Sequence, residues 1–140
     1  MSNIATSSVI EIYVYKTMRD LLTTTYISGT VYRKGRRPLD AKTEDAVVVI
    51  SDGDAEQVQS GHLHVNVYVQ DIDAGNGNLE ANLSRLAQIE SLDSLIINAL
   101  NGRDTDYNFK LYKMTDHYED EDYKGQHFVG FFIEFKKINY

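Results

Sequence analysis

The chain has no cysteine, no tryptophan and a single proline, Pro38. Without cysteine it can build no disulfide, thiolate metal site, iron–sulfur cluster or thiol nucleophile, so its stability must come from packing or from partner subunits. Positive charge is also in deficit, with 14 Lys and Arg against 21 Asp and Glu and a net charge of -7. That balance works against general binding to nucleic-acid backbone, which depends on cations neutralising phosphates. No run approaches the roughly 18 consecutive apolar residues of a membrane-spanning helix. Residues 1–8 lack the basic region and apolar run of a secretory signal, so the expected setting is a cytoplasm, with release by lysis.

What is present fits one folded unit. With 140 residues, 42% of them hydrophobic, the chain has the size and apolar content of a single domain over 1–140 with one core. Ten tyrosines are an unusual share, and the apolar ring and polar tip of tyrosine suit interfaces that stay partly wet.

Local patterns give the elements. Ser8-Val9-Ile10-Glu11 has the form of a capping box and predicts a helix over 8–24. Residues 27–32 turn into a short strand, and 33–45, charged and containing Pro38, reads as a flexible loop. Ala46-Val47-Val48-Val49-Ile50 is the continuous apolar run of a doubly buried strand. From 61 to 70 Leu63, Val65, Val67 and Val69 alternate with His62, His64, Asn66 and Tyr68, so one side faces the core and the other faces solvent or a neighbouring subunit. Residues 71–78 form a loop that offers Asn78 as the N-cap of a long amphipathic helix over 79–100, which Gly102 ends. Strands over 107–115 and 127–137 flank the acidic segment 116–125, read as a flexible hairpin tip. The expected fold is α+β, a mainly antiparallel sheet of about four to five strands with two helices packed on one face.

Patterns that carry chemistry are sparse. His62 and His64, two apart on a strand, project to one side as a metal site would require, with His117 and His127 as further histidines. Without a local carboxylate motif they read as polar strand residues, and a small metal-binding module built on them is the minor alternative. Asp71-Ile72-Asp73-Ala74-Gly75-Asn76-Gly77 begins like a calcium loop, but Gly75 takes the fifth position and Asn82 stands where a bidentate glutamate is needed. No Gly-x-Ser-x-Gly elbow or glycine-rich phosphate loop occurs. The expectation is therefore no catalytic residue, no metal and no cofactor. Two charged features remain as interaction candidates. Arg33, Lys34, Arg36 and Arg37 form a basic cluster, and Asp116, Glu119, Asp120, Glu121 and Asp122 form an acidic one. Opposite charges on two surfaces of one subunit suit a head-to-tail contact, with His62, His64 and Tyr68 on the non-core side of their strand as further interface residues.

The order of these pieces resembles the tail-completion, or tail-to-head joining, proteins of long-tailed bacteriophages. The resemblance rests on the amphipathic first helix, Gly29-Thr30-Val31-Tyr32 with Pro38 beyond it, the strand Val47-Val48-Val49-Ile50, and the alternating stretch Gly61-His62-Leu63-His64-Val65-Asn66-Val67-Tyr68-Val69. The long helix from Leu79 and a closing hairpin complete it. It implies a non-enzymatic structural virion protein that forms a ring, commonly a hexamer, at the tail end or neck. Its partners would be copies of itself, the tail tube and the head-connector proteins, with DNA passing through without specific binding. It implies assembly in the bacterial host cytoplasm and residence in the virion. The acidic loop would repel DNA in the lumen or contact a subunit. Another head-completion, connector or minor tail protein is the alternative within the same particle.

Overall fold

The computed structural model describes residues 7–50, 60–102, 106–115 and 118–138. The elements run α1 (Ser7–Leu22), β1 (Val31–Arg33), β2 (Ala46–Ile50), β3 (Ser60–Gln70), β4 (Ile72–Asp73), β5 (Leu79–Glu80), α2 (Leu83–Glu90), α3 (Asp93–Asn101), β6 (Tyr107–Met114), β7 (Tyr118–Glu119) and β8 (Gln126–Lys137). This is the expected α+β fold. The main sheet has the order β1-β2-β3-β8-β6, and β7 pairs with the start of β8 on the side where β6 pairs with its later part. All these pairings are antiparallel except the parallel pair β1 and β2 at one edge.

Side-chain parity divides the sheet into two faces, because opposed residues in neighbouring strands point the same way. On β3 and β8, Leu63 opposes Ile133, Val65 opposes Phe131 and Val67 opposes Val129, and all six are buried. The helices cover this inner face. Ile10, Val14, Met18 and Leu22 form one stripe of α1, and with Leu86, Ile89, Leu92, Ile96 and Leu100 they join the strand residues in a single core. Each such side chain, fully buried, contributes about 1.5–3 kcal/mol.

The helix expected over 79–100 divides. Leu79 and Glu80 form β5, which pairs with β4 as a separate hairpin, and the N-cap is Asn82, whose side chain accepts from the amide of Arg85 at 3.1 Å, rather than Asn78. A second break falls at Ser91 and Leu92. Ser91 donates its hydroxyl to the carbonyl of Gln88, and Asp93 accepts from the amide of Ser94, local bonds that compete with the helix ladder. The apolar stripe runs straight through both halves, which is why periodicity alone shows one helix. Gly102 ends α3 with φ at -80° rather than in the left-handed region. It is glycine for another reason, since a Cβ there would lie 2.8 Å from the carbonyl oxygen of Asn98. The capping box expected at Ser8 concerns a side chain outside the described residues.

Candidate functional site

The outer face of the sheet, turned away from the helices, carries the even-numbered side chains of β3 and β8. Its two ends differ.

At the end near Gln126 the segment 34–45 and the hairpin 120–125 fold over the sheet. Arg37 is the centre of this closed end and is 5% exposed. Its guanidinium packs over the rings of both Tyr68 and Tyr123, 4.3 Å from each centroid, and the two rings meet each other edge-on at 5.2 Å, a cluster to which the planar, weakly hydrated group is suited. Nε donates to Asp45 Oδ2 at 2.9 Å, and Nη2 donates to the Thr43 carbonyl and to Gln126 Oε1. Asp45 also accepts from the amide of Thr30 and the hydroxyl of Thr43. Tyr123 donates to the carbonyl of Arg37, and Gln126 donates to the carbonyl of Ala41. Tyr68 donates to Asp120 at 2.9 Å, and burial, followed by this bond, pushes its hydroxyl well above the ordinary tyrosine range. Gly29 makes the arrangement feasible, because a Cβ there would fall 1.9 Å from Asp45 Oδ1 and 2.5 Å from the Glu44 carbonyl oxygen.

This arrangement corrects part of the charge reading. The basic loop and the acidic hairpin do not sit on separate surfaces; they are laced together in one chain. Arg37, Tyr68 and Asp120 have their bonds inside the subunit, so they are withdrawn from the set expected to meet a neighbour. Arg33 lies 3.7 Å from Glu11 at the β1 edge. Lys34 and Arg36 are exposed, as are Glu119, Glu121 and Asp122. Asp116 and His117 lie outside the described residues.

Toward the other end, past Asn66 and Gly130, no described element lies over the sheet. This open end holds a cluster of rings: His64 packs on Phe132 with centroids 4.5 Å apart, and Tyr112 meets both Phe132 and His62 edge-on. Tyr112 faces this side by parity with Asn108 and Lys110, and the register shift of β6 between Leu111 and Lys113 brings Lys113 to the same side, opposite Phe132, as a bulge does. Tyr112 remains 48% exposed. Cations rim the cluster. Lys113 lies over the Phe132 ring at 4.9 Å, Lys110 opposes Glu134, and Lys136 stands beyond it on β8. Burial, then the charge of Lys34, lowers the pKa of His64. Glu134 sits 3.6 Å from His62, and a pocket of about 170 Å³ opens between Ser60, Gly61, His62, Glu134 and Lys136.

The histidines therefore do not converge. His62 and His64 share the open end as parity predicts, while His127 belongs to the opposite parity and is bonded to Asp71 at 2.6 Å. Among the described residues no group of three or more His, Asp or Glu side chains is placed to hold a metal ion. Residues 71–80 form the β4 and β5 hairpin, with Asp73 accepting from the amide of Gly75. Lys110, Tyr112, Lys113 and Phe132 were missed as site residues. Their signal was present as lysines at both 110 and 113 of one strand, positions that share a face only if a bulge intervenes.

No protein-family model matches the chain, and no curated protein matches it in sequence. Among the described residues no helix is long and apolar enough to cross a membrane.

Proposed function

We infer that the chain is a non-enzymatic structural subunit that assembles with copies of itself, and that its ring completes a phage tail and joins it to the head. The observation that supports this reading is the open end of the outer face. Half of one side of the sheet presents half-buried aromatic rings, rimmed by lysines in a chain of net charge -7, the composition of a surface made for a partner. The resemblance in element order supplies the particle. A ring of about six copies, seated on the tail tube and meeting the connector, keeps the whole role structural. DNA passes such a ring without being gripped, because the subunit is acidic overall.

Light scattering of the purified chain, with negative-stain images of the same sample, tests the reading. The expected result is a mass several times 15.9 kDa and closed rings in projection. A mass of one chain at every concentration contradicts it.

A further inference from the structure

We propose that the open end of the outer sheet face is one half of a head-to-tail contact whose other half is the acidic hairpin of a second copy, together with the apolar patch beside it. This rests on the assembly reading and names its two surfaces. The acidic half lies at the closed end. Glu119, Glu121 and Asp122 are exposed there, next to three uncovered apolar side chains, Ile72 at 44%, Leu79 at 61% and Leu83 at 63% exposure. The two features adjoin: the amide of Asp71 donates to the carbonyl of Gly125 at 2.9 Å, and a Cβ on Gly125 would lie 3.5 Å from Leu79 Cδ1. Between Ile72 and Leu83 runs a cleft of about 430 Å³.

The halves complement each other twice. One has an apolar centre with a carboxylate rim; the other has an aromatic centre, Tyr112 and Phe132, with Lys110, Lys113 and Lys136 at its rim. An apolar core inside a polar rim of opposite sign is the anatomy of a specific interface. They cannot meet within one chain. Along β8 the step from His127, which Glu119 opposes, to Phe132, which Lys113 opposes, is roughly 16 Å at about 3.3 Å per residue, and Lys110 and Lys136 lie further on. A contact between unlike patches on opposite ends is heterologous, so it propagates from copy to copy and closes as a ring when the rotation permits. Pairing through the β6 edge is blunted at Phe109, whose amide and carbonyl are both bonded by the side chain of Asn101 at 2.8 Å, so the face rather than the edge is left to the partner. Tyr112 packs edge-on against Phe132 and His62, His64 lies against Phe132 and Lys113 caps the Phe132 ring, which favours a protein surface over stacked bases as occupant.

Two charge reversals of the full chain test this: Lys110→Glu with Lys113→Glu and Lys136→Glu, and Glu119→Lys with Glu121→Lys and Asp122→Lys. All six positions are exposed, so both variants should keep the parent circular dichroism. Each alone is expected to need about tenfold or more higher concentration to assemble, since like charges then face each other. Mixed one to one, they restore assembly, because each reversed patch finds its reversed complement. Parent-like assembly of either variant overturns the contact, as does a folded mixture that stays monomeric. Binding of an oligothymidine by the parent, lost in the lysine variant, would assign the face to single-stranded nucleic acid and also overturn it. A parent chain that never assembles overturns the ring reading itself, an outcome distinct from the others.

Discussion

Over Tyr68 the outer face of the sheet is closed by its own chain, with an arginine packed over two tyrosine rings and its Nε bonded to a buried aspartate. Over Phe132, on the same face, rings and lysines stand where no described residue covers them. Both ends combine aromatic rings with cations, so the contrast is one of connection. At the closed end Gly29 lets Asp45 approach, Asp45 holds Arg37, and Arg37 draws 34–45 down onto Tyr123 and Gln126. At the open end β6 bulges between Leu111 and Lys113, which sets Lys113 beside Tyr112 on the outer face. A cation with a buried carboxylate partner fastens a fold, whereas a cation at an exposed rim selects a partner.

Mutations should separate the two ends. The largest effect is expected from Arg37→Ala, which leaves Asp45 buried without its partner and costs about 3–5 kcal/mol. For a chain of this length that lowers the melting temperature by roughly 10–15 °C, read by thermal unfolding. A loss under 1 kcal/mol would mean that the closed end fastens nothing. Gly29→Ala, which drives a methyl group into Asp45 and the Glu44 carbonyl, should cost about 1–3 kcal/mol in urea unfolding. Arg85→Ala removes a pairing with Glu44 and a bond to the Tyr26 carbonyl. That site is partly exposed, so the expected loss is only about 1 kcal/mol. Tyr112→Ser at the open end should change stability by no more than about 0.5 kcal/mol while weakening assembly. Equal effects of Tyr112→Ser and Arg37→Ala on unfolding would erase the comparison.

The smallest effect is a pH dependence. Burial and Lys34 lower the pKa of His64 below its ordinary 6.5, so the unfolded chain takes up this proton first as pH falls. The contribution of His64 is fully present above about pH 6.5 and is lost as pH drops through the folded value. His64→Gln should therefore flatten the fall in urea midpoint between about pH 7 and pH 5. Identical slopes in parent and variant would show that His64 does not report on this face.

Much of the fold was legible because strand and helix periods leave separate marks. The run Ala46–Ile50 and the alternation at 63, 65, 67 and 69 placed β2 and β3 and put His62, His64 and Tyr68 on one face. The same periodicity concealed the break at Ser91, where the apolar stripe continues while the backbone turns. The closed end was not legible, because Arg37 and Gln126 are 89 residues apart and no local pattern reports a bond of that range. Its one sequence mark was a glycine, Gly29, preceding a strand. The charge clusters were visible as composition, but their partners were not. An arginine run beside an acidic run suggests a contact between chains, and only the register of β3 with β8 shows that half of it is internal.

The central claim is that the closed end is covered by its own chain and the open end by a neighbour. Hydrogen exchange on the chain, compared between a concentrated sample and one diluted until it dissociates, tests this directly. The account predicts that dilution speeds exchange over 107–115 and 118–125 and leaves that of 34–45 unchanged. Exchange that is the same at both concentrations over all these segments, in a sample whose mass has fallen, would contradict it.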